Sequence, residues 1–456
     1  MWSGASARIA GRCVRAESRS RWCFKGFAAR WLLASQVTSA NVAADLFFPL
    51  AGRLGLPARS TVTPKMLQKM VWAGSNLGSY AMAEEAMREL AGELVSARRI
   101  RRVVSQAGDE RVAEREAAVE QFKRMDLPKQ QVGSSAVDPP QIAVIEMDGG
   151  RYQRREHFGK KDRPAGEKHW REDKVGCLLS MSGSIHESDP TPELPEWLAT
   201  SSAVAELAQM AEKPGVFEAC ETVGGKPSQT SDQAMYPAPR LVSREVVASS
   251  ADAESFGWLL AARAWQMGFP SAERQAFVAD GAHANWTVQR EHFSHATPIL
   301  DLMHALSYAY SAALAVPEKD VFRRWAEWIW GGDVGRVIAV LREHQERLGK
   351  LPAEASPTDP RERIDRALTY YQYHRSRMNY PEYRRLGLPL TSSHIESTIK
   401  QINRRVKGSE KFWLRSTSEA VLQLRADYLS DSAPLHSFWL RHQTRQTGIN
   451  AYTQAN

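Results

Sequence analysis

Cysteine is scarce in this chain, and several other absences narrow what it can be. The four cysteines, Cys13, Cys23, Cys177 and Cys220, form no Cys-x-x-Cys pair and have no histidines at zinc-ligand spacing. That excludes a zinc module and a disulfide framework, and it suits a reducing cytoplasm. No apolar run reaches the roughly 18 to 20 residues needed to cross a bilayer, so no membrane partner is expected. Acids are in deficit: 52 Asp and Glu face 60 Lys and Arg, and the formal charge of +8 fits a polyanionic partner, nucleic acid first. The first 36 residues are nearly free of acids, rich in Arg and Ser, and lack the apolar core of a secretory signal. They read as a basic, disordered arm, with an organellar transit segment as the alternative.

At 456 residues the chain has room for two to four domains. Residues 37–124 show apolar residues at three-and-four spacing and almost no strand signal, which predicts an all-α unit. Within it, "AMAEEAMRELAGELVSARRIRRVVSQAG" reads as a helix, a break near Val95 and Ser96, and a second helix carrying Arg98, Arg99, Arg101 and Arg102. That order suits a helix-turn-helix whose second helix enters the major groove, or equally a solvated basic face. Pro, Ser and Gly collect over 125–140, which predicts a linker.

Strand character begins at residue 141. "QIAVIEMDGGRYQRRE" predicts a hairpin turning at Asp-Gly-Gly, and "HWREDKVGCLLSMSG" a further strand, giving three antiparallel strands before residue 185. Residues 186–240 read as an irregular insertion. A helix in "SADAESFGWLLAARAWQMGF", a strand in "RQAFVADG", a helix from His283 and a strand in "ATPILDL" complete core strands spanning 141–302. Residues 303–385 predict a helical insertion, 386–431 a final core helix region, and 432–456 a C-terminal tail. Trp325, Trp328 and Trp330 in the insertion read as core packing.

Two aspartates end apolar runs and precede glycine, Asp148 in "AVIEMDGG" and Asp280 in "AFVADGAHANW". Each alone has a local explanation, since Asp-Gly favours turns and Asp caps helices. Together in one sheet they suggest more. Phosphoryl transfer uses hard cations a few ångströms apart, and magnesium keeps several waters, so two aspartates and one further carboxylate suffice as ligands.

The order Asp148 on a first strand, Asp280 on a fourth, a helical insertion and then Glu396 on a final helix resembles the RNase H-like domain of DDE transposases. More narrowly, "IEMDGGR", "WREDKVG", "FVADGAHANW", "ILDLMHA" and "SSHIES…INRRVKGSEKFW…EAVLQLRADYLS" are similar to bacterial insertion-sequence transposases of the ISKra group, related to the Mutator-like elements, over about Lys65 to Asp431. The resemblance implies an α/β fold with an RNase H-like mixed sheet and a helical insertion, preceded by an all-α DNA-binding domain. It implies that Asp148, Asp280 and Glu396 are catalytic and hold two Mg²⁺ or Mn²⁺ ions. Asp301 and His304 resemble the Asp-x-x-His element of Mutator-like enzymes but stay outside the catalytic set, each having an ordinary explanation. Lys411-Phe412-Trp413 stands where relatives have a Met-Arg-Trp-like stretch.

The expected activity is metal-dependent cleavage and strand transfer by a transposase bound to double-stranded DNA, both terminal inverted repeats and target, as a homo-oligomer at the bacterial nucleoid. Lys400, Arg404, Arg405 and Lys407, around the last helix, join the four arginines as expected DNA contacts. Two alternatives stay open: a domesticated copy that only binds DNA, and a stand-alone RNase H-like nuclease. Glu396 carries its own alternative, because Ser393-x-x-Glu396 also reads as a capping box.

Overall fold

In the computed structural model the described residues are 62–155, 169–199, 203, 236–352 and 354–447. The arm expected over 1–36, the helical unit up to residue 61, most of the 186–240 insertion and residues 448–456 of the tail lie outside them.

The apolar run after residue 141 forms the sheet's central strand, β1 (Ile142–Arg154), and its first six residues are buried. A strand covered on both faces needs continuous rather than alternating apolar character. β1 pairs antiparallel with β2 (Trp170–Ser182), which pairs antiparallel with β3 (Arg240–Ser249). On its other edge β1 pairs parallel with β4 (Arg274–Ala279), and β4 with β5 (Thr297–Leu300). The spatial order is β3-β2-β1-β4-β5, so the fold is α/β with an open mixed sheet.

The hairpin expected at Asp148-Gly149-Gly150 is not formed. β1 runs straight through, with Asp148 opposite Val175 and Gly150 opposite Asp173 on β2. At Gly150 the glycine serves close approach, since a Cβ there would sit 2.7 Å from Asp173 Oδ1 and 3.2 Å from Asn403 Oδ1. The third antiparallel strand is β3, whose "RLVSREVVAS" follows the expected insertion and carries no turn signal to announce it.

Before the sheet stand α1 (Pro64–Asn76), α2 (Tyr80–Ala91) and α3 (Ala97–Lys123). The residues read as linker carry a short helix, α4 (Leu127–Val132), opened by Asp126 and Pro128 and fastened by Trp265 Nε1 donating to the Lys129 carbonyl at 2.9 Å. α5 (Ala253–Gln266) and α6 (His283–His292) flank β4 in sequence. The expected helical insertion contains α7 (Leu302–Ala313), α8 (Val321–Trp330), α9 (Val334–Leu348), α10 (Pro360–His374) and α11 (Tyr380–Arg385). Trp325 and Trp330 are fully buried there, and Trp330 Nε1 donates to the Thr191 carbonyl at 2.9 Å, so they pack the core.

α12 (Ser393–Val406) lies against β1 and β2, and the two-residue β6 (Phe412–Trp413) adds to the far end of β1 in parallel. α13 (Arg415–Leu429) packs along α3, where Arg111 pairs with Asp427 at 2.9 Å and Arg115 with Glu419 at 2.9 Å. The helical unit is therefore docked on the sheet domain. Part of the expected tail is helix α14 (Pro434–Thr447), with Phe438 fully buried and His442 Nδ1 2.8 Å from Glu110. Among the described residues no helix is long and apolar enough to cross a membrane.

Candidate active site

Asp148 sits on β1 just beyond the last residue, Glu146, that pairs with β4. Its Oδ1 accepts from the Gly149 N–H at 2.6 Å. Burial pushes its carboxyl up to about 8, Asp280 and Glu396 add to the rise, and Gly149 and His304 oppose it.

Asp280 follows β4 directly, on the strand next to β1. Its Oδ1 accepts from the Ala282 N–H at 2.9 Å and from Asn285 Nδ2 at 2.9 Å. Nδ2 of Asn285, a buried residue of α6's first turn, also donates to the Met147 carbonyl at 3.1 Å. One amide thus ties Asp280 to the backbone preceding Asp148. Gly281 is required by packing, since a Cβ would lie 2.4 Å from the Tyr370 ring of α10.

Glu396 lies in the first turn of α12. The capping box expected from Ser393 is absent: the N-cap is Ser392, which makes no side-chain cap bond, and Ser393 is already helical. Ser392 is diverted because its N–H and its hydroxyl both donate to Asp301 Oδ2, at 2.6 and 2.8 Å. Asp301 Oδ1 meanwhile accepts the His304 N–H at 2.9 Å and so caps α7. The α12 N-terminus is served from the sheet instead, by Glu146 Oε2, which accepts the Ile395 N–H at 2.8 Å. Burial holds the Glu146 carboxyl well above its ordinary range.

Among the described residues Asp301, His304 and Glu396 form a group of ligand-type atoms, one atom of each within 4.8 Å of the others, and this group includes neither Asp148 nor Asp280. His304 Nδ1 lies 3.2 Å from Asp301 Oδ1. Burial disfavours its charge, but the bond to Asp301 and the charges of Asp301, Asp280 and Glu396 lift it to about 9. At neutral pH the His304 imidazolium therefore acts on Asp148, Asp280, Asp301 and Glu396. The carboxylate oxygens are hard donors, which suits a divalent cation, and His304 could add a nitrogen only after losing its proton.

Sequence reasoning left out Glu146 and Asn285 and set Asp301 and His304 aside. Glu146 carried a signal, an acid in an apolar run two residues from Asp148 and so on the same face of the strand.

The expected DNA contacts divide. Arg98, Arg99, Arg101 and Arg102 are exposed near the start of α3, Lys400 and Arg404 are exposed on α12, and Lys407 at its end is half-buried. Arg405 is only 2% exposed. Its Nε donates to the Gly74 carbonyl at 2.9 Å, and its guanidinium lies 4.6 Å from the Tyr80 ring centre and 4.9 Å from that of Trp413. Arg405 joins α1 and α2 to α12 and so stands apart from the exposed basic side chains of that helix. Neither a protein-family model nor a curated protein matches this sequence.

Proposed function

We propose that the protein is a DDE-type DNA transposase with an RNase H-like catalytic domain, cutting and joining DNA at Asp148, Asp280 and Glu396. One observation supports the reading: Asp148 on the central strand feels the charges of Asp280, which follows the parallel neighbour β4, and of Glu396, which stands on the helix packed against β1 and β2 beside Asp301 and His304. The chain leaves β1 toward β2 and β3 and returns on the other side at β4. Open sheets of this kind bind ligands beyond the carboxyl ends of strands at such a reversal.

Asp148, Asp280 and Glu396 would hold two Mg²⁺ or Mn²⁺ ions, with Asp301 and His304 beside them. When bound, such ions supply an activated attacking oxygen and stabilise the leaving oxygen. Asn285 fixes the carboxylate of Asp280, and Glu146 and Asp301 hold the helix end that presents Glu396. In the first reaction a water oxygen bonds to phosphorus as the P–O3′ bond breaks, leaving a 3′-hydroxyl. In the second, that hydroxyl attacks a target phosphodiester in line, with no covalent protein intermediate.

Terminal repeats would be bound through α3, whose exposed arginines stand in two consecutive pairs. The test is a duplex bearing the element's ends, incubated with Mg²⁺ or Mn²⁺ and scored for nicking and strand transfer alongside a gel shift. Asp148→Ala, Asp280→Ala and Glu396→Ala should each abolish cleavage and leave binding. Full cleavage by one variant removes that residue from the site.

A further inference from the structure

A cavity of about 250 Å³ lies where the α1–α2 junction, α3 and the β6 segment meet, with Tyr80, Arg101, Arg405, Lys411, Trp413 and Thr417 in its wall. We propose that it is an anion site that holds a backbone phosphate of the bound DNA. The choice of DNA rests on the transposase reading, whereas the anion chemistry stands on the cavity itself.

Positive charge collects here without matching acid. Lys411 is held below its ordinary range by burial and then by the charge of Arg405. Nearby Arg425 is pulled down to about 10 by burial and then by Arg405 and Arg404. Among the described residues of the wall the acid is Glu410, which is exposed. Independently, Arg405 Nη2 and the Tyr80 hydroxyl are buried polar atoms that, among the described residues, meet no partner in good hydrogen-bond geometry and interact with each other. A buried guanidinium nitrogen left unbonded is costly, and a phosphate oxygen is its best acceptor. Two helices also begin at the wall, α2 after its N-cap Ser79 and α13 after Leu414, and helix starts favour anions.

The position selects DNA among anions. Arg405 is nine residues and about two and a half turns from Glu396, so the two side chains leave opposite faces of α12, and it is the exposed basic residues around the pocket that point to a polyanion. Lys400 and Arg404 are exposed on that helix between and beside them. Arg101 brings the arginine-bearing α3 to the same wall.

The test uses Lys411→Gln and the double variant Arg101→Gln/Lys411→Gln, which spare the Gly74 bond of Arg405. In the first arm the probe is inorganic phosphate against chloride at equal ionic strength. Phosphate should raise the wild-type melting temperature, as mass action requires of a ligand of the folded state, and should do so less in the variants. In the second arm the probe is an end-bearing duplex without divalent metal. The double variant should bind about tenfold more weakly, with a salt slope smaller by about one. Unchanged affinity and slope overturn the DNA assignment even if phosphate stabilises the protein, and no phosphate effect in wild type overturns the anion site. Variants weakened in the second arm while wild type fails to cut with metal would uphold the pocket and refute the transposase reading.

Discussion

Oε2 of Glu146 accepts the backbone N–H of Ile395 at 2.8 Å, so the strand that carries Asp148 holds the first turn of the helix that carries Glu396. Glu146 stands two positions before Asp148 and Ile395 immediately before Glu396, so this single bond ties the strand position of one carboxylate to the helix position of the other.

Glu146→Gln retains an acceptor in a neutral side chain and should leave both stability and cleavage near wild type. Glu146→Ala strands a buried N–H and opens a cavity. A loss of about 1–3 kcal/mol is expected from the unmet donor alone. Chemical denaturation and cleavage rate should fall together in the alanine variant, and equal behaviour of the two variants would show that the bond does not position α12.

Ser393→Ala should change stability by no more than about 0.5 kcal/mol, because Ser393 is exposed and Ser392 is the N-cap. Ser392→Ala removes a buried hydroxyl bonded to Asp301 and should cost about 1–2 kcal/mol. Urea midpoints of the two variants give the comparison, and the reverse ranking would restore the capping box.

Much of this site was legible in the sequence because its chemistry coincides with apolar runs that stop. β4 and β5 stop immediately before Asp280 and Asp301, where the apolar run meets a carboxylate. The Asp-Gly-Gly of β1 misled, since glycine signals both a turn and a close approach, and only the neighbours Asp173 and Asn403 decide between them. The capping box misled for a related reason: a serine can cap only if no other acceptor claims the turn, and Asp301, distant in sequence, claims Ser392. Arg405 lies in a basic run, and nothing local separates the buried member from its exposed neighbour Arg404.

Asp173 predicts a pH dependence of stability. It is fully buried, no other described residue donates to its carboxylate oxygens, and burial pushes it from an ordinary 3.8 to about 7. The folded chain therefore holds this proton more tightly than the unfolded chain. Its stabilising contribution is complete below the ordinary value and is lost as pH rises through about 7. Asp173→Asn mimics the protonated form and can donate toward Asn403 Oδ1. Melting temperatures should match wild type near pH 4 and exceed it at pH 8, by at most a few kcal/mol in stability. An unchanged difference across that range would contradict the assignment.

Arg405→Ala should destabilise the protein by about 1–3 kcal/mol, because it removes a buried charged donor from the Gly74 carbonyl. Arg98→Ala and Arg102→Ala, both exposed, should leave the melting temperature within a degree or two yet weaken duplex binding and flatten its salt dependence. Thermal melts with parallel gel shifts separate the two classes, and a destabilising Arg102→Ala would place that arginine with Arg405.

The central claim is that Glu396 acts with Asp148 and Asp280 on a phosphodiester. It is tested most directly by measuring strand cleavage of an end-bearing duplex by Glu396→Gln in Mg²⁺, beside the wild type and at equal DNA occupancy. The substitution keeps the size and hydrogen-bonding reach of the side chain and removes only its charge. The account predicts cleavage by the wild type and none by Glu396→Gln, with the melting temperature unchanged. Cleavage by Glu396→Gln at close to the wild-type rate would contradict it.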